Sequence, residues 1–202
     1  MIKSIIFDFG DVFVNLDKPA TKRLLGNFGM EDWSEETLQK NNNYEKGLIS
    51  TSNFIEYYTK SLPPLSRKEF VECWNSVLLD FPQYRLDFIK TLAEENKYQL
   101  ILLSNTNEIH IDWIKEHVPF FEEFKECFDR FYLSHEINFR KPDAEIYEFV
   151  LMSNYLQPSE CLFIDDTKAN TEAASELGIH VWNLDPEKED ITQLFKVKKE
   201  LF

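Results

Sequence analysis

Apolar positions in this chain follow two rhythms. Short runs that are apolar at nearly every position occur at Ser4–Phe9, Gln99–Ser104, Arg130–Leu133 and Cys161–Asp165, with a fifth at Ile179–Trp182. Continuous runs of that length suit strands of a parallel sheet covered on both faces. Between them, apolar residues recur at three- and four-residue spacing, as in Leu86-Ile89-Leu92-Ala93 and in Ile146-Phe149-Val150 after the Pro142-Asp143 start. Ala169-Ala173-Leu177 repeats the spacing, and Gly178 falls where a helix C-terminal cap belongs. Strands alternating with helices predict an α/β fold, a Rossmann-like, doubly wound parallel sheet.

One stretch breaks the alternation. Residues 17–82 hold no convincing strand, only helical patches such as Phe54-Ile55-Tyr57-Tyr58 and Phe70-Cys73-Trp74-Val77-Leu78, punctuated by Gly47 and Pro63-Pro64. Following the first strand directly, this stretch reads as a helical cap inserted into a core made of residues 1–16 and 83–202. At helical spacing the cap aromatics Trp33, Tyr57, Tyr58 and Trp74 are divided between core packing and a pocket, with packing favoured. The tail from Gln193 to Phe202 reads as a charged surface helix.

Composition narrows the classes. With 43% hydrophobic and 15% aromatic residues, the 202-residue chain can bury a substantial core. The net charge of -14, from 36 acids against 22 Lys plus Arg, disfavours nucleic acid and anionic membranes as partners. Cys73, Cys127 and Cys161 are scattered and form no CxxC pair, which argues against a zinc site or a disulfide framework. No run approaches the length of a membrane span, and a cytoplasmic protein is expected. Oligomeric state is not legible.

In open parallel sheets ligands bind beyond the carboxyl ends of the strands. The runs here end in chemistry: Asp8 after the first, Ser104-Asn105 at the second, Arg140-Lys141-Pro142 after the third, Asp165-Asp166 at the fourth. Adjacent acids on an apolar run repel unless a cation neutralises them. Carboxylates, a hydroxyl and an ammonium meeting at one rim suit a phosphate beside a magnesium ion.

These segments, in order and spacing, resemble the four motifs of the haloacid dehalogenase-like (HAD) hydrolase superfamily. "LLSNTNEIH", "YLSHEINFRKPDAEIY" and "FIDDTKANTEAASELGI" are similar to the bacterial subgroup that includes α-D-glucose-1-phosphate phosphatase. The resemblance implies a C1-type cap and a Mg2+-dependent phosphatase acting on a small phosphorylated metabolite, such as a sugar phosphate. It implies Asp8 as the nucleophile that forms an aspartyl-phosphate. Ser104 and Asn105 would cradle the phosphate, and Lys141 would neutralise it during transfer. Asp8, the Gly10 carbonyl, Asp166 and Asp165 would form the metal site, Asp165 at first or second remove, with Asn170 steadying its loop. Thr106 and Asn107 read as loop structure.

One position departs from the superfamily. Most of its phosphatases carry a second aspartate two residues after the nucleophile as general acid and base; here that residue is Gly10, and Asp11 is aimed elsewhere by strand alternation. Gly10 therefore implies a substrate with an activated leaving group. Three other readings stand beside the phosphatase: a metal-independent 2-haloacid dehalogenase, a non-enzymatic phospho-accepting receiver module, and a catalytically silent binding protein. Asp166 speaks against the first, and the late position of the acid pair against the second.

Overall fold

A computed structural model describes all 202 residues. β1 (Ser4–Phe7) is followed by four helices, α1 (Ala20–Gly26), α2 (Glu35–Glu45), α3 (Thr51–Ser61) and α4 (Arg67–Asn75). Then come α5 (Gln83–Glu95), β2 (Gln99–Ser104), α6 (Glu108–His117), α7 (Phe121–Glu126) and β3 (Arg130–Leu133). The chain closes with α8 (Ser134–Ile137), α9 (Ala144–Ser153), β4 (Cys161–Asp165), α10 (Lys168–Glu176), β5 (His180–Asn183) and α11 (Leu194–Val197). All strand pairs are parallel, in the order β3-β2-β1-β4-β5. Strand order reverses between β1 and β4, so the crevice beyond their carboxyl ends is the ligand position of a doubly wound sheet.

Side-chain alternation splits the sheet's apolar residues between two cores. Ile5, Phe7, Leu100, Leu102, Leu162 and Ile164 face α5, α6 and α7. Ile6, Ile101, Leu103, Cys161 and Phe163 face α9 and α10. The continuous apolar runs of the sequence are thus two interleaved faces, each covered.

β1 stops two residues short of the Ser4–Phe9 expectation. Asp8 N–H still donates to Ile164 O at 2.8 Å, but Phe13 N–H then donates to Phe9 O at 2.9 Å and closes a turn. Phe9 is apolar because this turn is buried: its ring stacks on Phe124 at 5.3 Å. β5 lies one residue later than expected. The tail is not one helix but short turns around Ile191–Leu201, where Ile191 and Leu194 are buried. On α10 the buried positions are Asn170, Thr171 and Ala174, while Ala169 is exposed. The helix is rotated because Asn170 turns inward to Asp165. Gly178 (φ +84) ends α10, with N–H donations from Gly178 to Ser175 O and from Ile179 to Ala174 O.

The helices α1–α4 carry their own apolar cluster, including Leu25, Tyr44, Phe54, Tyr58, Phe70 and Trp74, joined by Ile109 of α6. Tyr58 and Trp74 are buried in it; Trp33 and Tyr57 are half-buried against it. The segments leading in and out of this insert bond to each other: Asp17 N–H to Val77 O, Leu79 N–H to Asn15 O and Asn15 N–H to Asp80 O, each 2.9 Å. Val77 and Leu78, read above as part of a helical face, lie on this return segment beyond α4.

Candidate active site

At the rim where β1 and β4 end, Lys141 organises the site. It is 1% exposed, and its Nζ lies 2.7 Å from Asp8 Oδ1, 2.7 Å from Asp165 Oδ2 and 2.9 Å from Leu103 O. Three donors meet three acceptors, so the buried charge is fully bonded. The Asn105 side chain positions this lysine: Oδ1 accepts Lys141 N–H at 2.9 Å and Nδ2 donates to Lys141 O at 2.8 Å. The phosphate contact expected at Asn105 is through its main-chain N–H, and its side chain is engaged with the Lys141 backbone. Ser104 is buried, with only a long 3.5 Å contact from Oγ to Asn105 O. Thr106 is fastened through its N–H and C=O to the Ser134 hydroxyl, and Asn107 caps α6.

Asp165 is fully buried. Its oxygens also accept from Asn170 Nδ2 (3.0 and 3.1 Å) and from Thr167 N–H (2.7 Å). Asp166 is half-buried and pairs with Lys18, which also lies 2.9 Å from Asp11 Oδ2. Asn183 Nδ2 donates to the carbonyls of Asp165 and Asp166, fixing the turn from β4. Carboxylate oxygens of Asp8, Asp165 and Asp166 lie within 4.8 Å of one another. Burial raises the Asp8 carboxyl to about 7, with Lys141 opposing and Asp165 and Asp166 adding to the rise. Burial likewise raises Asp166 against the pull of Lys18. Burial disfavours the charge on Lys141, but Asp165 and Asp8 more than offset it and hold its pKa above the ordinary value. The cluster is poised for a further cation, and hard carboxylate oxygens at this spacing fit magnesium.

A cavity of ≈ 300 Å³ opens over these groups. Asp8, Gly10, Asn105, Lys141 and Asp166, all singled out above, line it; Ser104 lines an adjoining cavity of ≈ 190 Å³. None of the aromatics Trp33, Tyr57, Tyr58 and Trp74 lines either one. The sequence reading missed Lys18, Asn183 and Glu45, all in or next to this site. Glu45, at the end of α2, lines both cavities and accepts from Arg140 Nη2 (2.8 Å) and Nε (3.0 Å). Gly47 is its local signal: at φ +66, a Cβ there would lie 2.1 Å from His135 O, so only glycine lets the α2 tip dock.

Residues 5–184 match the haloacid dehalogenase-like hydrolase family, and the chain belongs to it. Among its relatives, D-ribitol-5-phosphate phosphatase of Bacteroides thetaiotaomicron is 29% identical over 195 residues, covering 90% of this chain and 91% of that protein. A HAD family enzyme of the same bacterium, solved in complex with magnesium and inorganic phosphate, is 32% identical with a TM-score of 0.81, covering 96% and 100% of the two chains. A HAD-like family hydrolase of Porphyromonas gingivalis reaches 0.83 at 27% identity over 98% of each.

Proposed function

We propose that the chain is a magnesium-dependent phosphatase for a small phosphorylated polyol or sugar. The observation that supports this best is the contact of Asp8, the strand-end carboxylate, with a buried lysine, beside two more carboxylates at the sheet's switch point. The similar Bacteroides enzyme, solved with magnesium and phosphate, and the relative named for ribitol 5-phosphate point the same way.

In this reading Asp8, Asp166 and the Gly10 carbonyl would hold the ion, with Asp165 behind them. The ion supplies positive charge against the phosphoryl oxygens. Asp8 attacks phosphorus, and Lys141 opposes the burial that favours its protonation and aims the carboxylate. Asn105 and Asn170 hold Lys141 and Asp165 in register, so little reorganisation is needed at the moment of transfer. Ser104, whose hydroxyl makes only a long 3.5 Å contact within the protein, is left to cradle the phosphate. Residues 17–82 act as the cap, closing over the bound ester and excluding water from the first step.

A screen of sugar, alditol and aryl phosphate esters with and without magnesium tests this. Turnover should require the metal, stop on chelation, return on re-addition, and fall by at least ~10³ in Asp8→Asn. Metal-independent halide release from 2-haloacids, with no ester turned over, would overturn it.

A further inference from the structure

The phosphatase reading leaves a proton without a carrier. A phosphate ester of an ordinary alcohol departs as an alkoxide unless an acid protonates the bridging oxygen. At Gly10 no side chain is present, and a Cβ there would lie 2.7 Å from Leu16 Cδ1, in space that Leu16 already fills. Asp11, one residue on, is turned away. It has φ +54, its Oδ1 accepts Leu16 N–H and its Oδ2 faces Lys18, and it lines a different cavity from that of Asp8.

The carboxyl groups lining the Asp8 cavity are three: Asp8, Asp166 and Glu45. Asp8 is committed to phosphorus and Asp166 to the metal. We propose that Glu45, delivered by the helical insert, is the proton donor to the leaving group and the base for the water that follows.

Four observations converge on it. Glu45 is one of four residues, with Gly10, Leu16 and Asn105, that line both cavities, so it stands where a leaving group would pass from the phosphate site into the adjoining chamber. Arg140 bonds only Oε2; Oε1 carries no hydrogen bond within the protein. The side chain keeps 26% of its surface accessible, enough to meet a substrate. Burial raises its pKa above the ordinary glutamate value despite Arg140 and Lys141, favouring a proton in place before the reaction.

The α2 tip is also firmly placed. Lys46 Nζ lies 2.6 Å from Asp143, Asn138 Nδ2 donates to Lys46 O at 2.7 Å, and Gly47 packs on the His135 carbonyl.

The proposal rests on the phosphatase reading. In the first half-reaction a carboxylate oxygen of Asp8 bonds to phosphorus. The bond from phosphorus to the ester oxygen breaks, and that oxygen keeps the electron pair and takes the Glu45 proton, releasing the alcohol. In the second, water bonds to phosphorus and gives a proton to the Glu45 carboxylate. The bond from phosphorus to Asp8 breaks, its electrons return to Asp8, and inorganic phosphate leaves. Both residues end as they began.

The test compares kcat and KM for an alditol phosphate and for p-nitrophenyl phosphate, whose leaving group needs little protonation. Glu45→Gln should lower kcat on the alditol ester by ~10²–10³ and on the aryl ester by less than ~10, with KM changed only a few-fold on either. Glu45→Asp, which keeps a carboxyl group able to carry the proton, should recover part of the alditol rate and gives the same comparison should the glutamine variant fail to fold. Arg140→Gln breaks the same ion pair without removing the acid and should depress both esters alike. Equal losses on the two esters in Glu45→Gln, or an Arg140→Gln pattern identical to it, would overturn the proposal while leaving the phosphatase intact. A wild-type enzyme inert toward both esters with magnesium would overturn the phosphatase reading itself.

Discussion

The two walls of the cavity are each centred on a lysine that bridges two carboxylates, yet they are built differently. On the sheet side Lys141 joins Asp8 to Asp165, is 1% exposed and spends its third hydrogen on a backbone carbonyl. On the side where the insert begins, Lys18 joins Asp11 to Asp166 with 54% of its side chain open to solvent. A buried charge pair loses heavily if one partner is removed, because the other is stranded away from water; an exposed pair loses little. The sheet wall is therefore fixed by its own electrostatics, whereas the insert wall can adjust to a substrate or an ion.

Breaking the sheet wall should have the largest effect. Lys141→Met strands Asp8 and Asp165, and the metal-free variant should lose about 3–5 kcal/mol of stability, read as a lower midpoint in urea, together with nearly all turnover. Wild-type stability would show that the carboxylates repack or protonate at no cost.

The seam between insert and core comes next. Asn107 Oδ1 accepts from Trp74 Nε1 (3.3 Å) and His110 N–H (3.1 Å), which aims its Nδ2 at His110 Nδ1, while His110 Nε2 donates to Trp74 O at 3.1 Å. Only neutral imidazole satisfies all four contacts, and burial lowers the His110 pKa from 6.5 to about 4. The unfolded chain takes a proton below pH 6.5 that the folded one refuses. Stability from this residue is full above pH 6.5 and falls toward pH 4, by up to roughly 3 kcal/mol. Urea midpoints across that range should show the slope, and His110→Gln should flatten it; an unchanged slope would exclude His110 as its source.

The smallest effect belongs to Lys18. Lys18→Met should change stability by less than about 1 kcal/mol. It should also tighten magnesium binding a few-fold in a calorimetric titration, since the ammonium no longer occupies Asp166. Weaker binding would mean that Lys18 orders the site rather than competes for it.

Much of the sheet wall was legible before any coordinates. Asp8 and Asp165-Asp166 end buried runs, and an acid at the end of an apolar strand is a local signal. Lys141 before Pro142 and the Ser104-Asn105 turn sit at the ends of segments whose direction the alternation of strands and helices already implies. The departures have local physical causes. Phe9 is apolar because a turn is buried rather than because a strand continues, and α10 is rotated because Asn170 prefers a carboxylate to solvent.

What the amino-acid order determined by itself is whatever depends on neighbours along the chain: the strand runs, the helical faces, the Gly178 stop and the acids that close each strand. What the tertiary structure alone decided is which distant side chains share the cavity. Lys18 meets Asp166 across 148 positions and Glu45 meets Arg140 across 95. No periodicity encodes such meetings, because they depend on how a docked insert is seated, and that seating is set by the fit of Gly47, Trp74 and His110 against surfaces formed elsewhere in the chain.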